Sequence, residues 1–381
     1  MPKSRVALVR CSDYDEKRVY EAVKQGVALL GGAGRFAKTG ERLVLKPNIL
    51  IGAAPEKCVT THPAVFRAVG LVFKEAGAIV SYGDSPAFGG LDLNARRSGL
   101  KRMADELGFA QADFDHGREV SHKSALLNKR FIFANGVLDA DGLISLPKLK
   151  TQGLTRMTGA VKNQFGCVPG VLKGQFHAKM ADPYLFGTML VDINTFLKPR
   201  LFIMDAITAM EGNGPRNGKP RQMNALLFST DPVALDAIAC KMMVLNPEYV
   251  PTSAPGEKAG LGTYHYENIE MVGERVESFV CPDFDVVREP PVSASAGSVR
   301  KFIRNRTTPR PVIDRTRCDS CGTCIEICPV GNTALDWAFI EAAKIPRYNY
   351  SQCIRCYCCQ EMCPQGAISI KRPVLSRLIP Q

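Results

Sequence analysis

Arg42-Leu43-Val44-Leu45-Lys46-Pro47-Asn48 sets a short apolar, β-prone run directly against a charged, turn-forming end. The same arrangement recurs along the first 290 residues. Ala78–Tyr82 runs into Gly83-Asp84-Ser85-Pro86, Gly142–Leu146 into Pro147-Lys148, Leu201–Met204 into Asp205, and Ala225–Phe228 into Ser229-Thr230-Asp231-Pro232. Val6–Arg10 reads as a first strand. Helical patterns lie between these runs. Asp15–Leu30 carries Val19, Val23, Val27 and Leu30 at helical spacing. Pro63–Ala76 follows a Thr60 or Thr61 cap, and Asn94–Leu107, Pro183–Leu197 and Val233–Met243 follow in turn. Asp231 can cap the last of these, with Pro232 in its first turn. Strands alternating with helices predict an α/β fold, an open, mostly parallel sheet with helices on both faces. Residues 130–141 are expected as a hairpin arm, because Ala134-Asn135-Gly136 is a turn signal.

The chain has 381 residues, enough for two or three domains. No stretch reaches the ~18 apolar residues of a membrane span, and the first apolar run is too short for a signal peptide. A cytoplasmic protein is expected. Nine of the fourteen cysteines fall between Cys318 and Cys363. With no export signal, such clustering points to a metal site and away from a disulfide framework. The formal net charge is +12, and half of it sits in residues 300–317, where seven Arg or Lys face the single acid Asp314. That stretch is read either as a solvated linker beside anionic cluster sulfur or as a docking surface for an acidic redox partner or an anionic membrane face. Aromatic residues are not interleaved with these charges, so nucleic acid is not an expected partner.

Two cysteine runs carry the chemistry. Cys318-x2-Cys321-x2-Cys324-x3-Cys328-Pro329 is followed by Cys353-x2-Cys356-x2-Cys359-x3-Cys363-Pro364. Each matches the bacterial ferredoxin pattern, in which the fourth cysteine serves the other cluster. The expected ligands are Cys318, Cys321, Cys324 and Cys363 for one [4Fe–4S] cluster, and Cys353, Cys356, Cys359 and Cys328 for the second. Two zinc sites are the alternative, but zinc-ribbon spacing matches poorly. The region resembles two-cluster bacterial ferredoxins over residues 312–372. Cys358 is a surplus thiol, and Leu335–Ile340 is expected as a helix packed on the N-terminal domain.

The expected division is an α/β domain over 1–290, a flexible basic linker over 291–311, a small α+β ferredoxin-like domain over 312–373, and a tail over 374–381. Ligands of open α/β sheets bind at the carboxyl ends of strands. Lys46, Asn48, Asp84, Ser85, Lys148, Lys150, Asp205 and Asp231 are therefore read as lining one shared crevice. The stretch 148–163, which includes Lys150, Lys162 and Asn163, is rich in donors for an anionic ligand. It is neither a Walker loop nor a dinucleotide fingerprint. Lys173 and His177, four residues apart, share a helix face and could supply a proton. Asp205, Glu211 and Asp231 could hold a divalent cation, although capping and turn roles suit the last two better. Cys58 and Cys167 are read as buried thiols near the crevice, and His62, His116, His122 and His265 as structural.

Lys46-Pro47-Asn48, Gly83-Asp84-Ser85-Pro86, Pro147-Lys148, Gly159-Ala160-Val161-Lys162-Asn163, Lys173 with His177, and Asp205 followed by Glu211-Gly212-Asn213-Gly214-Pro215 resemble the DUF362 family over roughly residues 5–245. Members of that family often carry a C-terminal ferredoxin module. The resemblance implies fold and site positions more than chemistry. The resulting expectation is an anaerobic, ferredoxin-coupled oxidoreductase acting on an anionic small molecule or a flavin. The rival is an electron carrier or maturation partner that docks on another redox protein through Arg304, Arg306 and Arg310. A ligand sensor with structural or oxygen-sensing clusters is a third reading.

Overall fold

The computed structural model describes residues 3–170, 172–293, 308–340 and 343–373. The basic residues at 300–307, the tail at 374–381 and most of the expected linker lie outside them. Among the described residues no helix is long and apolar enough to cross a membrane.

The large sheet is built from β1 (Ser4–Arg10), β2 (Arg42–Pro47), β3 (Ile79–Tyr82) and β4 (Ala110–Gln111). The strands β5 (Gly117–Ser121) and β6 (Arg130–Ala134) form a separate antiparallel pair. Then come β7 (Gly142–Leu146), β8 (Lys148–Gln152), β9 (Arg156–Met157), β10 (Leu201–Glu211), β11 (Lys219–Ser229) and β12 (Ile269–Gly273). The strand order is β12-β1-β11-β10-β7-β2-β3-β4, with β8 and β9 branching from β10. Along that row only β11 runs against its neighbours.

Successive side chains of a strand point to opposite faces, and the cores follow that period. Leu43, Leu45, Ala7, Val9, Leu201 and Ile203 join a core under the helices Glu16–Leu29 and Pro63–Glu75. On the other face, Val44 packs beneath Pro183–Leu197, while Val6, Leu8, Phe202 and Met204 pack beneath Pro232–Met242. Both faces are buried, so the strands read as continuous apolar runs. Asp231 accepts from the backbone N–H groups of Val233 and Ala234, and Pro232 opens the helix.

Several elements differ from expectation. Asn94–Leu107 is two helices, Leu91–Arg97 and Leu100–Leu107, because Gly99 between them adopts φ +78°. The cap of Pro63–Glu75 is His62, whose ring accepts from Ala64 N at 3.1 Å. Thr61 instead donates to Leu146 O at 2.6 Å, tying β7 to the site. The hairpin arm forms from residues upstream: Arg130–Ala134 pairs with Gly117–Ser121, and Asn135–Leu138 is a helical turn. Leu335–Ile340 is a strand paired with Ala343–Tyr348, with Leu335 buried in the C-terminal module's own core. Phe339 on the same strand is 79% exposed, so the segment does not pack on the N-terminal domain.

Candidate functional site

Lysines at strand ends form the base of the site. Lys46 and Asp84 end neighbouring parallel strands and make a buried ion pair, Nζ to Oδ1 at 2.8 Å. Lys46 also donates to Pro47 O and to Asn163 Oδ1, and Asp84 accepts from Ile49 N at 2.8 Å. Asn163 returns its amide to Lys46 O and Ser145 Oγ. The pair is covered by backbone. A Cβ on Gly166 would stand 1.8 Å from Asp84 Oδ1 and 2.8 Å from Lys46 Nζ, so only glycine permits this approach.

Lys150 has no exposure and donates to Asn48 Oδ1 at 2.7 Å and Val59 O at 2.6 Å. Burial, with the charges of Lys162 and Lys148 nearby, pushes its pKa down to about 7. Lys173 donates to Ser85 Oγ at 2.7 Å and Val168 O at 3.0 Å, and burial brings it to about 8. Both lysines can therefore give up a proton near neutral pH, which an exposed lysine cannot. Lys162 lies 5.7 Å from the Phe165 ring and 5.9 Å from that of Phe186, and no carboxylate pairs with it among the described residues.

Lys173 and His177 do share the helix Leu172–Lys179. His177 stacks on Phe186 at 4.5 Å between ring centroids, and its Nδ1 has no hydrogen-bond partner among the described residues. Burial, then the Lys162 charge, holds its pKa near 3. The ring is neutral at neutral pH. It can exchange hydrogen bonds with a ligand, but it does not present a protonated acid.

Lys148 and Asp205 stand apart from this group. Lys148 Nζ meets Asp205 Oδ2 at 2.7 Å and Tyr14 OH at 2.8 Å, with both ionised side chains fully buried. Tyr14 and the His62 backbone N–H each donate to Asp205 at 2.9 Å. Burial opposes the Lys148 charge, but Asp205 and Tyr14 outweigh it and hold the ammonium above its ordinary value. This network is closed upon itself. Asp231 lies at the opposite edge, because β11 runs backwards and its end pairs with the start of β10. Glu211 faces Arg221 and accepts from Asp285 N. Asp205, Glu211 and Asp231 therefore form no common cation site. Cys58 and Cys167 are both buried, and burial pushes each thiol's pKa up.

In the C-terminal module the cysteines fall into two sets around two small cavities. Cys318, Cys321, Cys324 and Cys363 border one, while Cys328, Cys353, Cys356 and Cys359 border the other. Each set takes three thiols from one run and one from the other. Ser320, Gly322, Arg355 and Tyr357 adopt positive φ, which tightens the loops that carry them. Tyr348 OH donates to Cys359 Sγ at 3.2 Å, and Ala367 N donates to Cys363 Sγ at 3.3 Å. Four soft sulfur donors ringing a cavity, with N–H and O–H groups aimed at sulfur, fit an iron–sulfur cube.

The module sits over the strand ends. A loop of the large domain, 212–217, grips the helix Cys358–Met362. Gln360 Nε2 donates to Asn213 Oδ1 at 2.7 Å, and Asn217 Nδ2 donates to Cys363 O at 3.1 Å. Gln152, on the same strand as Lys148 and Lys150, donates to Glu361. Between the two parts lies a cavity of about 670 Å³. Its large-domain wall holds Lys46, Asn48, Asp84, Ser85, Lys150, Lys162, Asn163, Lys173 and His177. Glu326, Cys328, Pro329, Cys358, Glu361 and Met362 of the module form the facing wall. A second cavity of about 410 Å³, beyond the 212–217 loop, contains none of the expected crevice residues.

Sequence reasoning did not find the closed Lys148–Asp205–Tyr14 network, nor Glu326 and Glu361 in the module wall. Tyr14 lies 134 residues from Lys148, and no local pattern links them.

Residues 43–241 match the model of a domain of unknown function, DUF362, and residues 317–367 match a 4Fe-4S dicluster domain. The chain is 38% identical over 257 residues to the thylakoid-associated protein sll1697 of Synechocystis sp., covering 67% of this chain and 79% of that protein. Among solved structures, the lactate racemase apoprotein from Thermoanaerobacterium thermosaccharolyticum is similar at a TM-score of 0.41 with 11% identity. The match covers 63% of this chain and 56% of that one, a likeness too distant to bear on function.

Proposed function

The chain belongs to the DUF362 family, and we propose that it is a ferredoxin-coupled oxidoreductase whose substrate, an anionic small molecule or a flavin, binds in the 670 Å³ cavity between the large domain and the iron–sulfur module. The observation that carries this reading is the facing walls of that cavity. One wall holds the buried lysines, and the other holds Cys328, a member of one four-thiol set. A cavity of this size suits a small ligand or cofactor.

The eight cysteines named above would hold two [4Fe–4S] clusters, which supply one-electron transfer when bound. Lys162, unpaired among the described residues, attracts the ligand's anionic group. Lys46 is neutralised by Asp84 and shapes the floor. His177 lines the cavity as a neutral ring, and its unpartnered Nδ1 is shut off from solvent. Lys150 and Lys173, with pKa values near 7 and 8, are the groups suited to hold or release a proton beside the ligand. The docked module forms one wall of the cavity and lowers its exposure to water, which strengthens these interactions.

The test uses the full chain, reconstituted and reduced anaerobically, with FMN and small carboxylates as probes. The expected result is saturable acceleration of cluster reoxidation by at least one probe, lost in Lys162→Glu. If no probe binds, or acceleration is linear in probe concentration and the same in Lys162→Glu, the cavity is not the site of electron exchange.

A further inference from the structure

The two four-thiol sets sit in different electrostatic surroundings, and part of the difference comes from the large domain. Arg216, at the end of the 212–217 loop, donates from Nη1 to Met362 O at 2.5 Å. Its guanidinium lies within electrostatic reach of Cys363 and Cys321. Asn217 beside it donates to Cys363 O at 3.1 Å and packs at Gly366. Both residues therefore address the set formed by Cys318, Cys321, Cys324 and Cys363, which is also the set with a solvent-exposed thiol, Cys321.

The exposed charges at that set are Arg317, which donates to Gln365 O at 3.0 Å, and, opposing it, Asp319, which accepts from Cys321 N at 3.2 Å. Water and salt screen both more than they screen the half-buried Arg216. At the other set two buried charges oppose each other. Arg355 donates to Cys353 O at 3.5 Å, and the Glu361 carboxylate lies near Cys356. Neutral hydrogen bonds to sulfur occur at both sets and do not separate them. Reduction adds negative charge to an already anionic cluster. A fixed cation and exposure to solvent both favour the reduced form and raise the potential.

We propose that Arg216 is a positioning residue of the large domain that raises the reduction potential of the cluster held by Cys318, Cys321, Cys324 and Cys363, making it the higher-potential cluster of the two. The docked loop thus does more than hold the module in place. It makes two sites with equivalent ligand sets unequal, and the first electron to enter resides at the exposed one. The proposal rests on two bound clusters and requires no ligand in the cavity, so it can fail while the proposed function stands, and the reverse.

An EPR-monitored redox titration of the full anaerobic chain tests it, with Arg216→Gln and Arg216→Lys compared with the parent at matched iron and sulfide content. The expected parent shows two separate midpoints. In Arg216→Gln the higher one falls while the lower stays, and Arg216→Lys restores most of the difference. A purely structural role predicts loss of iron or equal movement of both midpoints. Either of those results overturns the proposal, as does a parent with a single shared midpoint unchanged by Arg216→Gln.

Discussion

Lys148→Met separates a structural lysine from the cavity lysines. Lys148 and Asp205 are both fully buried and 2.7 Å apart. Removing one member of a buried pair costs about 3–5 kcal/mol, because the other charge is stranded. Here Asp205 keeps the Tyr14 hydroxyl and the His62 and Ile207 backbone N–H groups as donors. The loss should therefore fall at the lower end, about 3 kcal/mol. For a domain of this size that is a fall in Tm of about 6–10 °C. Thermal unfolding of the anaerobic full chain measures this. A deficit below about 1 kcal/mol would refute the closed-pair account of Lys148.

Three further outcomes follow from the same geometry. His177 has a folded pKa near 3, below its unfolded value of 6.5, so its contribution is intact above pH 6.5 and is lost as pH falls, by about 3 kcal/mol at pH 4.5. His177→Phe should flatten the acid limb of the stability curve, and an unchanged limb would count against a neutral buried ring. Gly166→Ala forces a methyl against Asp84 and Lys46 and should cost about 1–3 kcal/mol in chemical denaturation, whereas a neutral effect would mean the wall is loose. Cys358 lines the large cavity and Cys359 a four-thiol cavity. Iron analysis should find full content in Cys358→Ser and a deficit in Cys359→Ser, and the opposite pattern would reassign the ligand.

What could be read from the sequence depended on how local the determining interactions were. The cysteine spacing is local, so the iron–sulfur character of the C-terminal region was legible from it. The strand-and-helix alternation was legible because parallel strands buried on both faces stay apolar throughout. An apolar run has no direction, so the reversal of β11, which carries Asp231 away from the site, was hidden in Ala225–Phe228. Leu335–Ile340 is short, and a run of that length fits either a strand or a buried helix segment. Its pairing with Ala343–Tyr348 decided the matter. Lys46, Lys148 and Lys150 looked alike as strand-end lysines. They differ only through partners far away in the chain: Asp84 for the first, Asp205 and Tyr14 for the second, Asn48 and Val59 for the third. The cavity's second wall was illegible, because it exists only when the module docks through residues 212–217 and Gln152.

Anomalous diffraction at the iron edge from anaerobically grown crystals tests the central claim most directly. The account predicts two four-iron peaks, one ringed by Cys318, Cys321, Cys324 and Cys363, and the other ringed by Cys328, Cys353, Cys356 and Cys359 at the wall of the cavity that holds Lys150, Lys162 and His177. A single peak, or a second peak walled off from that cavity by protein, would contradict it.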